Sequence, residues 1–155
     1  MKTPPIKRNK NIQVLSREHH HGLLLCWKIK EGKKRAVDPR RIVAYINFFW
    51  DNHLKNHFKE EEDLLFSLVE DNLCTIGFSQ HKNIRSLLER VNESPDNLDA
   101  FIEHLEAHIR FEERELFPHL EQILTDQQLL EIGSALEASH EVPFIDNYQD
   151  EFWKN

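Results

Sequence analysis

HLKNHFKEEEDLLF occupies residues 53–66, and HLEAHIRFEERELF occupies residues 104–117. The two stretches agree at their first, second, fifth, ninth, tenth, thirteenth and fourteenth letters: His, Leu, His, Glu, Glu, Leu and Phe. A surface helix has no physical need to place His and Glu at those offsets. Four residues advance a helix by about 400°, roughly 40° past a full turn. His53, His57 and Glu61 therefore share one stripe, and His104, His108 and Glu112 share another. Leu54, Phe58, Leu64, Leu65 and Leu68 flank the first stripe; Leu105, Ile109, Leu116 and Leu120 flank the second. Part of each polar stripe must then border a core. An unpaired imidazole or carboxylate is costly there, and a bound cation removes the cost by using the lone pairs.

Outward from the repeat, apolar residues recur at spacings of three and four, and alternating stretches are missing, which predicts an all-α chain. Ser16 is a candidate N-cap for a first helix over residues 16–31, with Gly32 as its stop. Asp38-Pro39 opens a second helix over residues 39–70. A third spans residues 75–91, and Ser94-Pro95-Asp96 breaks it. The fourth starts near Asn97, carries the second copy of the repeat, and is expected to kink or end at Pro118. Thr125 and Gln128 form a capping-box pattern for a shorter fifth helix ending near Ala138. Four longer helices with short links predict an up-down-up-down four-helix bundle, with the fifth helix and a C-terminal tail appended. Residues 1–13 read as an arm and residues 14–155 as the bundle with its tail; Phe144, Tyr148, Phe152 and Trp153 should pack the tail back on the body.

The 155 residues suit a single domain able to bury a real core. A formal net charge of −7 argues against nucleic acid as partner. The locally basic run from Lys28 to Arg35 reads as a solvated helix end. Cys26 and Cys74 form no CxxC and no disulfide framework, so a reducing cytoplasm is expected. No apolar segment suggests a signal peptide or a membrane span. Ten histidines make His the residue in excess.

Each HxxxE supplies one nitrogen and one carboxylate, and the other two long helices each offer a histidine near their start. On the third helix His81 has Ile84, Leu87, Leu88 and Val91 at +3, +6, +7 and +10. Within His19-His20-His21, the same offsets from His19 give Gly22, Leu25, Cys26 and Ile29, while from His20 the last is Lys30. The pattern favours His19 over His20 as the inward residue and leaves His21 exposed or at the margin. The candidate metal ligands are His19, His57, Glu61, His81, His108 and Glu112. This mixed nitrogen and oxygen set without thiolate suits iron or manganese better than Cu(I) or a structural zinc.

SREHHHGLL, HFKEEE, QHKNI and HIRFEERELFPHL, in this order across residues 14–124, together resemble the hemerythrin family in its bacterial HHE cation-binding form. The resemblance implies a four-helix bundle around a non-haem di-iron centre that carries or senses a small ligand such as dioxygen. It makes Glu61 and Glu112 bridging carboxylates and the four histidines terminal ligands. It also admits enzymes: reduction of peroxide or nitric oxide, or repair of iron centres. The repair members usually carry a cysteine in an N-terminal segment, and residues 1–14 have none. A structural bundle holding zinc or nothing is the reading outside that function, and a binding protein is favoured over an enzyme.

The sequence departs from hemerythrins proper. They place two histidines on the third helix, whereas Gly77 and Arg85 flank His81 here. They place the last carboxylate five residues after its histidine, which is Glu113; the repeat favours Glu112, with Glu113 as substitute. His53 and His104 are candidates for hydrogen-bonding support or for completing the coordination. Phe48, Phe49, Trp50 and Trp27 are candidates for site walls or ordinary core. A monomer is expected.

Overall fold

The computed structural model describes residues 7–140 and 142–154. Among them there is no strand, and no helix is long and apolar enough to cross a membrane. The first rod is α1 (Gln13–Lys34). The second runs unbroken through α2 (Pro39–Phe49), a π turn (Trp50–Leu54), α3 (Lys55–Glu61) and a second π turn (Glu62–Phe66). The third is α4 (Asn72–Glu93). The fourth joins α5 (Leu98–Phe111), a π turn (Glu112–Leu116) and α6 (Phe117–Ile123). The fifth is α7 (Asp126–Ser139), opened by the expected capping box of Thr125 and Gln128. The first four rods pack as a ring: first on second, second on third, third on fourth, fourth on first.

The helix ends differ from expectation in three places. Ser16 does not cap α1, which begins at Gln13; its hydroxyl donates instead to Glu113 at 2.8 Å. Gly32 does not stop α1. It lies inside the helix, where an added Cβ would sit 2.7 Å from Cε1 of Phe152, so its bareness seats the tail. The turn out of α1 falls on Ala36, at φ 53°. The third helix starts earlier than residue 75 because Asp71 accepts from the Leu73 amide and caps it there.

Pro118 neither ends nor interrupts the fourth rod. A proline inside a helix clashes with the carbonyl four residues back, here that of Arg114. Arg114 lies within the π turn Glu112–Leu116, whose wider spacing accommodates the ring. Both copies of the repeat end in such a turn, so the repetition in sequence is a repetition of backbone shape.

The core is divided. Leu25, Ile29, Ile46, Phe58, Ile84, Leu105 and Ile109 belong to one apolar cluster, and Leu15, Leu65, Phe66, Leu116, Phe117 and Leu120 to another. On every site-bearing rod the candidate ligands fall where the two meet. Residues 1–6 of the expected arm lie outside the described residues. Just after them, Arg8 reaches Ser16 Oγ at 3.0 Å, the Glu113 carboxylate at 2.8 Å and the Glu121 carboxylate, while Ile12 is fully buried. The tail packs inward as expected, with Phe152 and Trp153 buried. Lys28 is a correction to the solvated basic run: it is buried, 2.7 Å from Asp146 and 4.1 Å from the centre of the Trp153 ring. The tail supplies the anion and the ring face that make burying its ammonium tolerable.

Candidate metal centre

His19, His57, Glu61, His81, His108 and Glu112 are all buried in the layer between the two apolar clusters, with Glu61, His81 and Glu112 wholly inaccessible. They form two groups of convergent donor atoms: His19, His57, Glu61 and Glu112 in one, Glu61, His81, His108 and Glu112 in the other. Within each group the donor atoms lie within 4.8 Å of one another. The two carboxylates belong to both groups, so the arrangement has the form of a double site with a shared pair.

Each inward imidazole is held from behind. His19 Nδ1 donates to Glu113 at 2.9 Å, His57 Nδ1 to Glu18 at 3.0 Å, and His81 Nδ1 to Glu62 at 2.6 Å. His108 Nδ1 donates to the Gln80 side-chain oxygen, also at 2.6 Å. Carboxylates only accept, so these bonds place a proton on Nδ1 and turn Nε2 inward, where that of His19 already meets Glu112 at 2.8 Å. The four supports follow a cyclic rule. Glu18 on the first rod serves the second, Glu62 on the second serves the third, Gln80 on the third serves the fourth, and Glu113 on the fourth serves the first.

The inward side is poorly satisfied without a cation. His57 Nε2, both carboxylate oxygens of Glu61 and one of Glu112 are buried with no hydrogen-bond partner. His81 Nε2 and His108 Nε2 stand 3.1 Å apart, a contact two lone pairs make only with a proton or cation between them. Burial, followed by the charge of Glu112, pushes the Glu61 carboxyl well above the ordinary range. Burial acts on Glu112 in the same upward direction but is outweighed, chiefly by His108, and its carboxyl is held low. Burial would lower His19, but its bonds to Glu112 and Glu113 raise it to about 9. In native proteins such a cluster of orphaned buried polar atoms calls for an ion. The donor set, four imidazole nitrogens and two carboxylates, fits one or two metal cations.

The remaining candidates separate. His20 is exposed, and His21 is half-buried edge-on to Phe144. Glu113 stands one layer out, behind His19. His104 is exposed, whereas His53 is buried and pushed down to about 4, first by burial. Gly77 is buried, and Arg85 pairs with Glu62 at 2.8 Å. Cys26 and Cys74 lie in the two apolar clusters, their thiols pushed up to about 12 and about 11, first by burial.

The aromatic candidates do not line the cavity beside the centre. Trp27 is 49% exposed, Phe48 packs on Tyr148, Phe49 lies edge-on to His53, and Trp50 lies edge-on to Phe58. The cavity beside the centre is instead lined by Glu18, His19, Gly22, His53, Leu54, His57, Phe58, Leu105 and Ile109. It has about 10 Å³ open to the centre of a water-sized molecule, enough for roughly one. Gly22 keeps it open: a Cβ there would sit 2.9 Å from Cδ1 of Ile109.

Residues 10–120 match the family model described as Hemerythrin HHE cation binding domain. Comparison with curated proteins and with solved structures finds no match.

Proposed function

We propose a function from one premise: the chain belongs to the hemerythrin HHE cation-binding family. Its six convergent side chains hold two iron ions, with Glu61 and Glu112 shared between them, and the centre carries or senses a small ligand such as dioxygen. The observation that carries this is the double group of buried donors with common carboxylates, whose inward atoms lack partners. Two iron ions supply reversible electron sharing with a bound small molecule. The chain's own residues do the rest. Nδ1 bonds to Glu18, Glu62, Gln80 and Glu113 aim the imidazoles, and both cysteines are too remote and too protonated to compete. Leu54, Phe58, Leu105 and Ile109 keep the cavity apolar, which disfavours escape of a charged, reduced ligand. Short links between rods support an up-down-up-down order. Two free thiols support a cytoplasmic setting, and the acidic charge supports a monomer.

The test is metal analysis after anaerobic purification, then admission of air. Expected are about two irons per chain and a visible band that forms with air and fades on its removal. A single zinc, or no metal, would reject the di-iron centre. Sustained consumption of peroxide or nitric oxide without a reversible band would make the protein an enzyme.

A further inference from the structure

Outside the six side chains, Glu18 on α1, Glu60 on α3 and His140 at the end of α7 meet beside the centre. One donor atom from each lies within 4.8 Å of the others. His140 Nε2 stands 3.0 and 2.8 Å from the two Glu60 oxygens, and its Nδ1 stands 3.7 Å from Glu18 Oε2. His53 Nδ1 faces the same Glu18 oxygen at 3.6 Å, and Ser139 Oγ donates to Glu60 at 2.8 Å. The three side chains are partly open to solvent, at 12, 13 and 18% exposure.

Two features point to a cation. The first is charge: two carboxylates converge, and among the described residues only histidines pair with them, with no lysine or arginine. The second is spacing. At 3.6 and 3.7 Å, Glu18 Oε2 is too far from both imidazoles for a hydrogen bond. Ligands ~2.1 Å from one ion stand ~3.0 to ~3.4 Å apart; His140 Nε2 and the Glu60 oxygens stand 2.8 and 3.0 Å apart, and one donor atom of Glu18 lies within 4.8 Å of one from each. One imidazole and two carboxylates, with room for water, suit Mn²⁺, Fe²⁺ or Zn²⁺.

We propose that Glu18, Glu60 and His140 form an outer divalent-cation site, weaker than the buried centre, from which an ion passes inward along Glu18. The other oxygen of Glu18 already accepts from His57, and Glu18 and His57 line the same cavity. The inward transfer rests on the two-ion centre proposed above; the outer site does not.

The experiment is a titration of the metal-free full-length chain with Mn²⁺, counting free ion by its magnetic-resonance signal. Wild type is expected to bind two equivalents tightly and a third at least tenfold more weakly. Glu60→Gln and, separately, His140→Ala should lose the third and keep the first two, and should slow filling of the buried pair. A wild type that stops at two, or variants that retain the third equivalent, would overturn the outer site. Loss of the tight pair with the weak equivalent intact would reject the buried centre alone. A third equivalent lost with unchanged filling rate would reject the inward route.

Discussion

The two halves of the centre carry the same donors and differ in everything around them. His81 and His108 are sealed. The Phe58 ring lies flat on His81 at 3.8 Å, Phe66 lies 5.3 Å from the same imidazole, and neither histidine borders the cavity. His19 and His57 both border it, with Gly22 and His53 beside them. The supports differ too. Two carboxylates back the open half, whereas the sealed half has Glu62, itself paired to Arg85, and the neutral Gln80. Identical donor sets therefore do not make identical surroundings: access is set by packing, and donor strength by the atom behind Nδ1.

The largest expected effect erases the comparison. Glu112→Gln removes a donor common to both halves, so metal content should fall from about two ions per chain to below one. It also takes the counter-charge from His19 and His108, which hold the Glu112 carboxyl low, so the metal-free variant should be less stable than metal-free wild type in denaturant unfolding. If it is instead as stable or more so, repulsion between Glu61 and Glu112 outweighs the pairing of Glu112 with the two histidines.

Next comes truncation on either side. His81→Ala opens a hole under the Phe58 ring, whereas His57→Ala enlarges an existing cavity. In metal-free proteins His81→Ala should be the more destabilising, by on the order of 1–3 kcal/mol. Equal losses in denaturant titration would mean that the sealed half is no better packed than the open one.

Closing the open half is a finer change. Gly22→Ala should leave both ions in place and weaken small-ligand binding at least tenfold, because its Cβ meets Ile109. Retained affinity would show that the ligand approaches elsewhere. Smaller again is Gln80→Glu, which makes the sealed half resemble the open one. Its ion should be held roughly tenfold tighter, measured by chelator competition. The smallest effect belongs to His21→Ala, whose ring meets those of Phe144, His20 and His53, and it should change metal content little.

Helix class, the five-rod order and the convergence of the six side chains could be read from the chain. Buried donors at spacing four, flanked by leucine and phenylalanine, leave few other places to point. The supports were not legible, although each sits one residue from a candidate ligand: Glu18 by His19, Glu62 by Glu61, Gln80 by His81, Glu113 by Glu112. One residue turns the side chain by about 100°, toward the neighbouring rod, and which rod is the neighbour is a tertiary fact. The same holds for Lys28, whose partners Asp146 and Trp153 are more than a hundred residues away. Gly32 reads as a stop because a bare position inside a helix and one at its end look alike until Phe152 arrives.

The π turn after Phe111 leaves a lasting mark on how this chain can vary. Each such turn houses one surplus residue, so removing one residue from 113–115 would restore a regular helix with Leu116, Phe117 and Leu120 still facing their cluster, whereas a deletion in the regular helix before it would swing them by about 100°. Among the described residues, the turn is thus the one stretch of this rod where losing a residue keeps the helix face in frame.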